Sequence, residues 1–258
     1  MAKRIDAHHS EEVTEATRKE FQAFVEWYNK KLGNLPLIVG GWAVYAYVPS
    51  GRGSRDIDVV YPSAEMRDRT LRSYWLANGY REEKLDLFTV SYQKELRTRN
   101  GAIIAIHIDP FCKDEDTVDK RTGIRLSWRL ADKHCVEKRL DGVSVYVPEA
   151  ELLAAYKIGA ILKREKEMEE TPDKAWADHL ASKIVKDAYD LVQLFSNCNL
   201  GHKRVSAFCE YLEITPGQLK ACGELVKRHK EDAGIEESVK KFEEEFARLH
   251  KKAAGKTG

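Results

Sequence analysis

The chain has 258 residues, long enough for one large domain or two smaller ones with a buried core. Its 43 Lys and Arg residues nearly balance 42 Asp and Glu residues, and the net charge of +1 excludes a protein that coats nucleic acid or membrane through bulk charge. Because 33% of the residues are charged, any electrostatic function requires charges that cluster locally. A hydrophobic content of 43% excludes global disorder.

The cysteines and the N-terminal sequence predict a cytoplasmic protein. Five widely spaced cysteines form no CxxC pair, which favours free thiols in a reducing compartment over a zinc or redox site. The stretch MAKRIDAHHSEEVTEATRKEF lacks the apolar segment of a signal peptide, and no run approaches the roughly 18 apolar residues of a membrane span. We therefore expect no membrane partner.

Helix-like and strand-like patterns alternate in the first part of the chain. The dipeptide Asp141-Gly142, placed between two strand-like runs, predicts a hairpin. In chain order, the other predicted elements are a helix over Glu11–Lys31, a strand over Leu35–Val39, a short helix over Trp42–Tyr47, a strand over Ile57–Tyr61, a helix over Ala64–Asn78, and strands over Leu87–Gln93 and Ala102–Ile108.

After Pro148 the pattern changes to long amphipathic helices. We therefore predict two domains, an α/β (α+β) domain over residues 1–148 and an all-helical C-terminal domain over residues 149–258. The predicted helices cover Glu149–Glu170, Asp173–Ser196, Lys203–Leu212, Pro216–Glu231 and Glu236–Lys252.

A pair of carboxylates lies in the second predicted strand, where Asp56 and Asp58 flank Ile57. Side chains two residues apart in a strand share a face, with Cα atoms about 6–7 Å apart. Two carboxylates so placed repel each other unless a cation is present, and oxygen-only ligands suit Mg²⁺ (or Mn²⁺), which also contacts substrate phosphates. By itself, an Asp-Ile-Asp sequence is also typical of a solvated edge strand.

Upstream of this pair, Gly40 and Gly41 follow the first predicted strand and begin a helix. Glycines at that position let a phosphate approach the backbone, and the helix N-terminus offers unpaired N–H groups. Arg52, Ser54 and Arg55 add guanidinium and hydroxyl donors. The combined pattern predicts a binding site for a polyphosphate and its cation.

The stretch LIVGGWAVYAYVPSGRGSRDIDVVY resembles the DNA-polymerase-β-like nucleotidyltransferase superfamily, whose signature is a hydrophobic strand, GG or GS, a spacer and an acidic DhDh motif. The pattern GGWAV…GR…R.DID is especially similar to the lincosamide and aminoglycoside nucleotidyltransferases. The resemblance implies a polymerase-β-like core with a mixed sheet that binds an NTP. It assigns Gly40, Gly41 and Ser54 to the nucleotide phosphates, and Asp56 and Asp58 to the metal.

The superfamily also has a third carboxylate on a later strand. Asp109, at the end of the apolar run AIIAIHIDPF, is the candidate, and by resemblance it completes the metal site or takes the proton of the acceptor hydroxyl. The alternative is that Asp109-Pro110 is turn chemistry that ends the strand. Asp86 is the substitute candidate, and His107 points the same way as Asp109 if the strand is regular, either as a donor to the site or as a buried histidine.

In the helical part, Lys157 lies on a stripe with apolar neighbours, so it either extends to solvent or reaches an anion. The next helix contains Lys183, Lys186, Asp187 and Asp190. The spacing of four residues between Lys183 and Asp187, and between Lys186 and Asp190, favours salt bridges along that helix.

The order of a strand, PE.LL…K..A…R and KD..DL resembles the AbiEii-type toxins of type IV toxin–antitoxin systems, which are nucleotidyltransferases with a helical C-terminal domain. The resemblance implies that Lys157 binds nucleotide phosphates and that Lys186, Asp187 and Asp190 lie at the active-site rim, with Asp187 acting directly. It also implies a tRNA or other RNA acceptor and a cognate antitoxin partner. Two alternatives stay open, namely a small hydroxylated acceptor such as an antibiotic, and a non-catalytic binding protein of the same fold.

Residues 120–139 contain seven Lys and Arg residues against Asp132 and Glu137, with Trp128 among the cations. A basic strand with an aromatic side chain can bind an RNA backbone. A solvated charged hairpin explains the same pattern.

Overall fold

At the centre of the sheet, strands form where β-branched and aromatic residues dominate the sequence. The computed structural model describes residues 11–49, 53–84, 90–97, 101 and 103–254. Its strands are β1 (Leu37–Val39), β2 (Asp56–Tyr61), β3 (Arg81–Lys84), β4 (Val90–Arg97), β5 (Ile103–Cys112), β6 (Thr117–Val118), β7 (Arg125–Leu126), β8 (Cys135–Leu140) and β9 (Val143–Pro148).

Several helices begin after a residue whose side chain caps them. The Ser63 side chain accepts a hydrogen bond from the Met66 amide, Asp173 accepts from two amides of the helix that follows it, and Thr215 forms a capping box with Gln218. The helices are α1 (Glu11–Leu32), α2 (Gly40–Tyr47), α3 (Ala64–Thr70), α4 (Trp128–Lys133), α5 (Ala150–Glu170), α6 (Lys174–Asn197), α7 (His202–Tyr211), α8 (Pro216–Arg228), α9 (Lys230–Ala233) and α10 (Glu236–Ala254).

Seven strands form one mixed sheet in the order β3-β4-β5-β2-β1-β9-β8. The pairs β2–β5 and β1–β9 are parallel, and the other neighbours are antiparallel. Strands β6 and β7 form a separate two-stranded ladder. The protein is therefore a mixed α/β protein with a mixed sheet and many helices, as the sequence predicts.

Most predicted elements are confirmed within a few residues. The helix predicted to end near Asn78 continues beyond α3 as a π-helical turn and a 3₁₀ turn, and Gly79 ends it in the left-handed region with φ 86°. The hairpin at Asp141-Gly142 joins β8 to β9, and both turn residues have positive φ. Four elements, namely β3, β6, β7 and α4, were not predicted.

The alternative that Asp109-Pro110 ends a strand is wrong. Strand β5 continues through Pro110 to Cys112, and Pro110 pairs with Val59 of β2. Proline has no N–H to donate to a neighbouring strand. It is tolerated at position 110 because, among the described residues, the pairing of β5 with β4 ends at Ile108.

The described chain divides into two units, which we name the sheet unit (11–116 and 127–149) and the helical unit (117–126 and 150–254). The predicted domain boundary at residue 148 stays a prediction. Residues 117–126, which the sequence assigned to the first domain, belong to the helical unit. The Arg125 amide donates to the Leu212 carbonyl at 2.9 Å, and its guanidinium pairs with Glu213 at 2.7 Å.

Each unit has its own aromatic core. In the sheet unit, Phe21 of α1 stacks on Trp42 of α2 with ring centroids 4.9 Å apart, and Phe24 stacks on Trp75 at 4.3 Å. In the helical unit the rings of Phe195, Phe242 and Phe246 pack against one another, and all three are buried. Full burial of such a side chain contributes about 1.5–3 kcal/mol, so the aromatic face of α1 helps to hold this helix on the sheet unit.

Stability is expected to fall as the pH rises above about 9. Burial raises the pKa of the Cys209 thiol from 9.0 to about 12, and that of the Tyr28 hydroxyl from 10.0 to about 12. Between those values the unfolded chain releases protons that the folded protein keeps, so the stabilisation is complete below the unfolded pKa and is lost as the pH rises through the folded pKa. Urea unfolding at about pH 7 and about pH 10.5 checks this, and an equal or larger free energy of unfolding at the higher pH contradicts it.

The helices offer no membrane span, since none in the described part of the chain is both long and apolar enough to cross a bilayer. All five cysteines are free thiols, as predicted, and Cys112, Cys209 and Cys222 are buried.

Candidate functional site

The carboxylates predicted from the motif lie on adjacent parallel strands. In the β2–β5 pair, Asp58 is opposite Asp109, and Asp56 is opposite His107. Register partners in a parallel pair project to the same face, as do residues two apart in one strand. The side chains of Asp56, Asp58 and Asp109 therefore share one face of the sheet, which we name the acidic face. Asp56 is 7% exposed, and the other two are half-buried.

Two residues that sequence reasoning missed extend this face onto β4 and β3. The Ser91 hydroxyl lies 2.8 Å from Asp109 Oδ1, and Glu83 of β3 is opposite Ser91. Glu83 Oε2 is 3.7 Å from His107 Nδ1. Their place on the face follows from the antiparallel pairing of β3, β4 and β5, which no motif in the sequence indicated.

Two separate features of the structure require a glycine at position 40. Its φ is +65°, in the left-handed region where side chains are disfavoured. A Cβ at this position would also overlap the Asp58 carboxylate, because β1 ends at Val39, opposite Asp58. The backbone at the start of α2 therefore lies directly against a carboxylate of the acidic face.

Gly40→Ala is expected to destabilise the sheet unit by more than 2 kcal/mol and to displace Asp58. An alanine in the left-handed region costs about 1–2 kcal/mol, and the overlap with the carboxylate adds to that cost. Gly33→Ala is the matched control, because Gly33 also has φ +65° but has open space around its Cβ position. Urea unfolding of both variants separates the two costs, and equal losses contradict the predicted contact with Asp58.

The predicted phosphate contacts adjoin the acidic face along the chain. Gly41 is buried in the first turn of α2, and Arg55 precedes Asp56 by one residue. The Ser54 hydroxyl is buried and has no hydrogen-bond partner among the described residues. A buried polar group left in that state costs about 1–3 kcal/mol, which makes Ser54 a suitable donor for a bound ligand.

The donor set of the acidic face fits a hard divalent cation. No three His, Cys, Asp or Glu side chains among the described residues are grouped as a complete protein-only metal site. Mg²⁺ seldom uses such a site, because it usually binds one or two carboxylates and fills its remaining positions with water and substrate phosphates. Carboxylates beside a glycine-lined helix start and an unpaired hydroxyl fit that mode of binding.

In the helical unit, the residues that the resemblance assigned to phosphates and catalysis form a buried network of ion pairs. Lys157 Nζ lies 2.7 Å from Asp187 Oδ1 and 2.6 Å from Asp190 Oδ2, and Arg164 pairs with the second oxygen of Asp187. Lys157, Asp187 and Asp190 are 7%, 3% and 2% exposed. We name these four residues the charge network; two cations and two anions balance within it. Lys186 is half-buried on the same helix, α6.

The basic segment 120–139 is divided between the two units, and three of its seven basic residues form ion pairs within their own unit. Trp128 is buried and stacks on Phe111 with ring centroids 4.2 Å apart, so its ring is not exposed to stack on a base. The ion pairs of its arginines join Arg121 to Glu170, Arg125 to Glu213 and Arg129 to Asp114. The segment is therefore neither one basic strand nor one charged hairpin, because it comprises β7, helix α4 and most of β8. Two residues considered in the sequence, Arg52 and Asp86, lie outside the described residues.

No known protein family matches the sequence, and no curated protein matches it. Two solved structures are similar at low identity. One is an antigenic nucleotidyltransferase-like protein from Paracoccidioides brasiliensis, 13% identical, with 85% of this chain and 94% of that chain covered and a TM-score of 0.43. The other is the antibiotic-resistance factor ANT(2'')-Ia, 15% identical, with coverages of 83% and 98% and a TM-score of 0.44.

Proposed function

We propose that the protein is a Mg²⁺-dependent (or Mn²⁺-dependent) nucleotidyltransferase with a polymerase-β-like core. The observation that supports this most directly is the in-register pairing of Asp58 with Asp109, next to Asp56 and against Gly40. Like charges this close destabilise a sheet unless a cation offsets them. Such a face beside a glycine-lined helix start suits a cation that is shared with a polyphosphate.

In this proposal Asp56, Asp58 and Asp109 hold the cation. When bound, the cation orients the phosphates and offsets the negative charge that develops on them during transfer. Gly40 and Gly41 let the triphosphate approach the start of α2, and the Ser54 hydroxyl and Arg55 guanidinium donate to it. The chain's contribution to the rate is then mostly positioning and electrostatic stabilisation.

The reaction transfers a nucleoside monophosphate to a hydroxyl group. The acceptor oxygen forms a bond to the α-phosphorus of the NTP while the bond from that phosphorus to the bridging oxygen breaks, and pyrophosphate leaves with that bond's electron pair. In this proposal Asp109 is a ligand of the cation and not the base. The proton of the acceptor hydroxyl is therefore released to water.

For the acceptor we propose an RNA, with tRNA as the first to test, in a toxin-like enzyme that has a cognate antitoxin. This choice follows from the sequence resemblance of the helical part, including Lys157, Lys186, Asp187 and Asp190. The alternative is a small hydroxylated molecule of the antibiotic type, because the motif around Asp56 is especially similar to that of the lincosamide and aminoglycoside nucleotidyltransferases.

The test is transfer of label from each α-labelled NTP, with Mg²⁺, to total tRNA or to an aminoglycoside. We expect label on RNA that is resistant to washing and sensitive to nuclease. Label on the aminoglycoside alone would show that the acceptor is a small molecule and not RNA, and nucleotidyl transfer would remain the reaction. No transfer to either acceptor, together with no NTP binding by calorimetry, overturns the proposal.

A further inference from the structure

Ser91 contacts the acidic face through one short hydrogen bond. The residue lies on β4 and is 1% exposed. Its hydroxyl oxygen is 2.8 Å from Asp109 Oδ1 and 3.2 Å from the Ile108 carbonyl. A hydroxyl has a single proton to donate, and a bond to an ionised carboxylate is shorter and stronger than one to a neutral carbonyl. The proton is therefore directed at Asp109.

The type of donor matters as much as its position. A lysine or arginine would also hold Asp109, but its charge would compete with a metal ion for the carboxylate. The neutral hydroxyl of Ser91 orients Asp109 without adding a positive charge that competes with a cation. Glu83, opposite Ser91 on β3, adds no positive charge on that side.

We infer that Ser91 is a positioning residue, which orients Asp109 for the cation of the proposed nucleotidyl transfer. The inference rests on that proposed function. Groups that hydrogen-bond to metal ligands typically change metal affinity by about 10–100-fold when they are removed. Ser91 does not contact the reacting atoms itself and acts through Asp109.

The test measures Mn²⁺ binding to the full chain by electron paramagnetic resonance, which needs no turnover. We expect Ser91→Ala to weaken the Kd for Mn²⁺ by about 10–100-fold, and Ser91→Cys, which keeps the volume but donates poorly, to weaken it in the same direction. Ser91→Thr keeps the hydroxyl and should bind close to wild type. Ser127→Ala is the matched control, since Ser127 is a buried serine of the same unit that caps α4.

An additional variant shows whether Ser91 acts through Asp109. In an Asp109→Asn background, Ser91→Ala should produce no further loss of Mn²⁺ affinity. Unchanged affinity in both Ser91→Ala and Ser91→Cys overturns the inference while leaving the proposed function intact. A wild-type chain that binds no Mn²⁺ overturns the metal site itself, so the two failures are distinguishable.

Discussion

Replacing Lys157 with methionine is expected to destabilise the helical unit by about 3–5 kcal/mol. The change keeps the aliphatic volume but removes the ammonium group that lies within 2.7 Å of both Asp187 and Asp190. Asp190 then loses the counter-charge of Lys157 while Asp187 keeps its ion pair with Arg164, and a buried carboxylate that loses a counter-charge is costly. Hydrogen exchange at the amides of α5 and α6, followed by mass spectrometry, measures the loss of local stability.

Two further variants separate charge from packing. Lys166→Met removes an exposed lysine from the same helix, where it pairs with Glu169 and Glu170, and should leave exchange nearly unchanged. Combining Lys157→Met with Asp190→Asn removes one charge of each sign and should restore much of the protection. Wild-type protection in Lys157→Met alone contradicts the assigned role of the charge network.

The Lys157→Met variant also tests the phosphate contact that the sequence resemblance implies. The ammonium group is engaged by two carboxylates, so binding a phosphate requires exchanging at least one of these ion pairs. If Lys157 binds the nucleotide, the Kd for NTP rises in Lys157→Met at a temperature where the variant is folded. An unchanged Kd leaves Lys157 with a structural role only.

Asp58→Asn and Asp56→Asn are each expected to lower nucleotidyl transfer by at least about 100-fold. Both variants keep the shape of the side chain but remove a charge from the acidic face. Because like charges on one face repel, thermal stability should stay equal or rise. Initial rates of label transfer and thermal melts of the same preparations measure the two effects.

Asp68→Asn is the control for this pair, since Asp68 is an exposed aspartate of the same unit on α3. We expect it to keep wild-type rates. Near-normal turnover in Asp56→Asn or Asp58→Asn contradicts the assigned metal ligands. A large drop in melting temperature would show instead that the missing carboxylate stabilises the fold.

The part of the site that is local in sequence could be predicted from the sequence. Gly40, Asp56 and Asp58 lie within a short stretch, where strand periodicity alone places the two acids on one face. Only one of the reasons for a glycine at position 40 could be predicted from the sequence. A phosphate-binding glycine was expected, but its contact with Asp58 depends on the antiparallel register of β1 with β2.

The remainder depends on strand pairing that no local pattern contains. The charged sequence of β3 lacks the β-branched residues typical of a strand, so its pairing with β4 and the positions of Glu83 and Ser91 could not be predicted. In the helical unit, spacing along α6 does not indicate that Asp187 and Asp190 pair with Lys157 of α5. Packing between helices determined those partners.

The parallel pairing of β2 with β5 also sets the order in which the site assembles. Asp58 and Asp109 are about fifty residues apart, and the chain between them must complete a long crossover before the two strands pair. At about 5–20 residues per second, Asp109 leaves the ribosome roughly 3–10 s after Asp58. For those seconds a nascent chain contains the glycines and the first two acids but lacks the third carboxylate of the acidic face.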